Sequence, residues 1–133
     1  MFCTCKTTPP KLTLYRGNTL KGWKPELKFN NEDKITLLSG ELLLFIVKTD
    51  LGTTCLSKTL IGKEDEDVEI AFDFSIEDTI NLRAPYNYNY SIDLYVKGDD
   101  TEDQMYTLQK GIFKLQEPYG DVNDIETEQN GGD

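Results

Sequence analysis

The sequence predicts an all-β protein, an Ig-like antiparallel β-sandwich of about seven or eight short strands with at most one helical turn. Three observations carry that expectation. The stretch "YNYNYSIDLYV" alternates large side chains with Asn, Ser and Asp from Tyr86 to Val96, the period of a strand that buries one face. Turn residues punctuate the chain at roughly the 8–12-residue spacing of sandwiches. No segment sustains a helical period beyond about one turn.

The elements follow in chain order. "KLTLY" alternates Leu12 and Leu14 and is closed by "RGN". Trp23, Pro25, Leu27 and Phe29 alternate next, with a proline that confines the segment to an edge or a strand start. "NNEDK" is a turn cluster, followed by Ile35 and Leu37 and the break "SG". "ELLLFIVKT" is rich in aliphatic and β-branched residues, "DLG" reads as a hairpin loop, and "TTCLSKTLIG" as a weaker returning strand. After "KEDED", Val68, Ile70, Phe72 and Phe74 alternate as one half-buried strand. Ser75 and Asp78 stand at capping-box spacing and predict a single helical turn. The tyrosine strand follows, then a polar loop and a final pair of short strands around Tyr106–Leu108 and Phe113–Leu115, which have opposite phases. A β-bulge at Gly111, with positive φ, would bring both pairs to one face.

Composition narrows the function. The chain has 133 residues, enough for one domain with its own core, and a net charge of −10 that repels phosphate backbones and anionic head groups. Nucleic acid and membrane are therefore not expected partners. The apolar run "LLLFIV" is far shorter than the roughly 20 residues of a membrane-spanning helix. The N-terminus shows no signal peptide pattern, so the expectation is a soluble chain made in the cytoplasm. The reading divides it into a flexible N-terminal arm over 1–10, a β-sandwich over 11–117 and a disordered acidic tail over 118–133.

Catalysis is not expected. With no histidine, Ser-His-Asp and Cys-His arrangements cannot form within one chain. The carboxylates gather in loop-like runs, which suit a solvated surface better than an acid-base pair, and no glycine pattern cradles a phosphate. Asp99, Asp100 and Asp103 lack the order of a calcium loop, and Cys3 and Cys5 have no second pair to complete a soft-metal site. No metal or other cofactor is expected.

Binding surfaces remain. Tyr88, Tyr90, Ile92 and Leu94 share the phase of a core stripe, whereas Trp23, Tyr86 and Tyr95 are the candidate surface aromatics, able to stack on sugar rings if they come together. In "ELLLFIVKT" both faces are apolar: Leu42, Leu44 and Ile46 on one, Leu43, Phe45 and Val47 on the other. Either the second set is covered by "TTCLSKTLIG" or by the turn near Ser75, or Leu43, Phe45 and Val47 form a candidate interface for a partner or a second copy.

The paired residues Asp78 and Thr79 in "EDTINL", the strand "YNYSIDL", the segment "YTLQKGIFKLQ" and the opening "YRGNTLKGWKPELKF" together resemble small β-sandwich domains of tailed phages and prophages. The nearest likeness is to the N-terminal domain of baseplate upper-fin proteins, with Asn18 where that family carries aspartate, and Ala84-Pro85 where it carries a glycine. The resemblance implies a non-enzymatic tail or baseplate structural protein that docks on other phage structural proteins. It implies a virion component assembled in the bacterial host cytoplasm, with a homo-oligomer among the expected states. The alternative is a carbohydrate-binding or adhesion module of similar fold.

Overall fold

A computed structural model describes residues 9–118, so the arm expected over 1–10 and the tail expected over 118–133 fall almost wholly outside the described residues. The fold is all-β. Its strands are β1 (Lys11–Tyr15), β2 (Leu20–Trp23), β3 (Lys28–Phe29), β4 (Glu32–Asp33), β5 (Thr36–Leu37), β6 (Glu41–Lys48), β7 (Thr54–Ile61), β8 (Val68–Glu69), β9 (Phe72–Phe74), β10 (Tyr86–Val96) and β11 (Gln104–Gln116). The one described helix, α1 (Ile76–Thr79), is the single turn expected after Ser75. Its N-terminal amide donates to Asp78 Oδ2 at 2.8 Å, the acidic half of the capping box.

Five strands form the main sheet in the order β1-β11-β10-β6-β7, a curled half-barrel. All its neighbours are antiparallel except β1 and β11, which run parallel, with Lys11 opposite Ile112 and Tyr15 opposite Gln116. Alternation places Tyr88, Tyr90, Ile92 and Leu94 of β10 on the inner face, all buried, together with Phe113 and Leu115 of β11 and Leu12 and Leu14 of β1. The Tyr88 hydroxyl donates to the Arg83 carbonyl at 2.8 Å and that of Tyr90 to Gln109 Oε1 at 2.6 Å, so neither buried phenol lacks a partner.

No second continuous sheet faces this one. Three two-stranded ribbons, β2-β9, β3-β4 and β5-β8, lie outside the main sheet, and Leu27, Leu37, Ile70, Phe72 and Phe74 carry its core across to them. Phe45 of β6 sits among Trp23, Phe72, Phe74 and Tyr90 at ring-centroid distances of 5.3–5.6 Å. Such offset and edge contacts suit the quadrupoles of the rings.

Three expectations are corrected. The strand read through Val68–Phe74 is two: β8 pairs with β5 and β9 with β2, because the chain crosses between ribbons at Ile70, whose N–H donates to Ile35 O at 2.9 Å. The alternation Trp23, Pro25, Leu27, Phe29 spans the end of β2, a strandless stretch with Pro25 in it, and β3. The final pair of strands is one long strand, and its bulge lies at Leu108: Ile92 opposes Gln109 and Asp93 opposes Thr107. The phase change is real, but Gly111 opposes Tyr90 in regular pairing and is not among the glycines with positive φ. It is glycine for lack of space. A Cβ there would meet Pro10 O at 2.4 Å and the Tyr90 ring at 2.6 Å.

Candidate docking surface

The segments "YRGN" and "EDTI" meet in space, and what they build is a clasp. After β1 the chain turns at Gly17 (φ +80°), whose N–H donates to Thr79 Oγ1 at 2.8 Å. Thr79 is completely buried and, the tyrosines apart, is the one buried polar side chain among the described residues. Arg16 donates from Nε and Nη2 to both carboxylate oxygens of Glu117, at 2.9 and 3.0 Å, and from Nη1 to Ile80 O at 3.2 Å. A bidentate guanidinium-carboxylate pair holds two chain segments in fixed geometry. "YRGN" and "EDTI" therefore join the start of the fold, α1 and the end of β11. Beside them Lys58 of β7 pairs with Asp78 at 2.6 Å. Partial burial pushes the Asp78 carboxyl up, but the Lys58 ammonium and the Ser75 N–H outweigh it and hold the group below the usual carboxylate range.

The three candidate surface aromatics do not come together. Trp23 is half-buried in the ring cluster around Phe45. Tyr86 and Tyr95 stand at opposite ends of β10, and nine residues of strand place them on opposite faces, about 30 Å apart. The Tyr86 hydroxyl donates to Asp50 Oδ1 at 2.6 Å, and its ring lies under the Arg83 guanidinium. The Tyr95 hydroxyl donates to Asp103 Oδ2, which also fixes the loop, since Asp103 Oδ1 accepts from Gly98 N at 2.9 Å. That phenol bond lowers the Asp103 carboxyl and raises Tyr95. Trp23 instead edges a cleft of about 300 Å³ with Pro10, Lys11, Pro25, Tyr90 and Gln109.

The candidate interface of Leu43, Phe45 and Val47 is corrected as well. All three have no exposed surface and belong to the core, where Trp23 of β2 and Phe72 and Phe74 of β9 pack against Phe45 on that face of β6. The opposite set, Leu42, Leu44 and Ile46, is half-buried and points to the outer face of the main sheet. Ladder register completes that face. Leu42 lies between Ile61 of β7 and Tyr95 of β10, and Tyr95 lies opposite Met105 of β11. Ile61 is 62% exposed and Met105 54%. The result is an apolar band across four strands at one end of the sheet. Next to it, between Leu44 and Thr107, Asp93 has one carboxylate oxygen shielded from solvent with no hydrogen-bond partner among the described residues.

Sequence reasoning missed this surface for a definite reason. Two apolar faces on one strand do not say which is inner, and the signal that decides it, the pairing of Leu42 with Ile61 and Tyr95, is long-range. Among the described residues no three Cys, Asp or Glu are grouped to hold a metal ion, and Asp99 and Asp100 stand in an exposed loop. Cys3 and Cys5 lie outside the described residues. No family model, no curated protein and no solved structure matches the chain.

Proposed function

We propose that the chain is a non-catalytic docking module, a structural component of a phage or prophage tail or baseplate, built as a variant of the Ig-like β-sandwich. The observation that carries the docking role is the apolar band of Leu42, Leu44, Ile61, Tyr95 and Met105 on the outer sheet face, with Ile61 and Met105 more than half exposed. A contiguous apolar patch of that kind marks a protein-protein contact. The phage assignment rests on the sequence resemblance alone. Partners on this reading are other phage structural proteins.

The test is mass spectrometry of purified phage particles from a host carrying the gene, with wild type beside the double variant Ile61→Glu/Met105→Glu. Both residues are more than half exposed, so the variant keeps its far-UV circular dichroism. Wild type is expected in the particle, and the variant is expected to be depleted from it. Equal recovery of the two would overturn the docking face, and absence of the wild type from particles would overturn the tail assignment. Glycan-array binding lost with Trp23→Ala would put carbohydrate recognition in its place.

A further inference from the structure

The other end of the outer face is chemically unlike the apolar band. Asn89 of β10 lies between Lys48 of β6 and Ile112 of β11, and Ile112 lies beside Lys11 of β1. On either side of Ile112 along β11 stand Lys110, opposite Ser91, and Lys114, opposite Asn87 and beside Thr13. Four lysines from three strands therefore surround one isoleucine, and Asp93 is the single carboxylate in the paired rows of this face. In a chain of net charge −10 this is a basic island. Six of the nine other described basic groups, Lys24, Lys28, Lys34, Lys58, Lys63 and Arg16, have a carboxylate within ion-pair distance, whereas none of these four lysines has one among the described residues. A groove of about 350 Å³ runs through the island between Ile46, Lys48, Asn89, Ser91 and Lys110.

We propose that this lysine island is the seat of the chain's own acidic segment, residues 119–133. The inference is independent of the docking role of the apolar band. Charge favours it: residues 119–133 contain Asp121, Asp124, Glu126, Glu128 and Asp133 and no basic residue. Tyr119, Val122 and Ile125 punctuate those acids and supply apolar contacts for Ile46 and Ile112. Position favours it too. Gln116, the last residue of β11, stands two residues beyond Lys114 on the same face, and Glu117 and Pro118 lead from it into the segment. Fifteen residues of chain reach about 50 Å, more than the length of the face. A segment tethered this close is presented to the lysines at roughly millimolar effective concentration, enough for individually weak ion pairs to populate the contact.

Lysine acylation rates in the full chain, read by mass spectrometry at low salt, test the proposal. The comparison is with the full-length variant Asp121→Asn/Asp124→Asn/Glu126→Gln/Glu128→Gln. Lys48, Lys110 and Lys114 should react about threefold more slowly in wild type, the scale of one or two exposed ion pairs. Lys21 and Lys97, exposed and without ion pairs but away from the island, should react alike in both. Roughly half-molar salt should abolish the difference. Equal rates in the two proteins would overturn the proposal, as would uniform slowing at all lysines. Protection that grows with protein concentration would overturn the intramolecular seat in favour of a segment reaching another copy.

Discussion

Thr79 shows how a single hydroxyl organises this chain. Its Oγ1 is fully buried and accepts the N–H of Gly17, a donor that the turn after β1 presents to no other acceptor among the described residues. Thr79→Val keeps the volume and removes the acceptor, so stability in urea should fall by about 1–3 kcal/mol, the cost of an unsatisfied buried donor. Thr79→Ser should recover part of that loss. Equal loss in both variants would mean that packing, not the hydrogen bond, matters at this position. Asp78, next in sequence, gives a pH signature. Its folded pKa is depressed despite partial burial, so the ionised form contributes stability that is present above the unfolded value of about 3.9 and is lost as pH falls through the lower folded value. Denaturant midpoints should therefore drop below about pH 4 in wild type. Lys58→Met, which removes the partner 2.6 Å away, should flatten that drop and lower stability at neutral pH. A variant with an unchanged acid limb would show that other carboxylates govern it.

At the scale of the element, β10 and β11 mark where the sequence was legible and where it was not. The inner stripe of β10 could be read because its polar positions, Asn87, Asn89, Ser91 and Asp93, break the symmetry between faces. β6 lacks such a marker, so its inner and outer sets looked equivalent until Leu42 and Ile46 found Ile61, Tyr95 and Ser91 across the ladder. In β11 the opposite phases of Tyr106 and Phe113 announced a bulge, but a glycine was available to take the blame. The register places the extra residue at Leu108, and Gly111 is small because the Pro10 carbonyl and the Tyr90 ring approach it. Gly111→Val should destabilise the protein, and Gly111→Ala should do so too, since the first atom of any side chain meets Pro10 O at 2.4 Å. A role through positive φ would be rescued by Asn, which tolerates that conformation. Gly111→Asn is therefore expected to be at least as damaging as Gly111→Ala in a thermal melt, and a milder Asn variant would restore the bulge at this position.

The whole molecule depends on contacts that a single sequence cannot display. β1 lies parallel to β11 about a hundred residues later, and Arg16 bonds Glu117 across a separation of 101 residues. The sandwich expectation captured the strand content but pictured a second sheet, whereas three ribbons hang on the half-barrel and share its core. Phe45 is the ring at the centre of the contact between the sheet and one of them, β2-β9. It touches Trp23 of β2, Phe72 and Phe74 of β9, Tyr90 of β10 and Phe113 of β11, all within 6.4 Å between ring centroids. If ribbons and sheet are one cooperative core, its loss must loosen both at once. Phe45→Ala should cost about 3–5 kcal/mol, and the transition should stay two-state. Trp23 reports the ribbon side and far-UV circular dichroism reports mainly the long strands of the sheet. In wild type and variant alike the two signals should change at the same urea concentration. Fluorescence of Trp23 that shifts at lower urea than the dichroism would mean that the ribbons detach first as a unit of lower stability, and that the half-barrel stands alone beneath them.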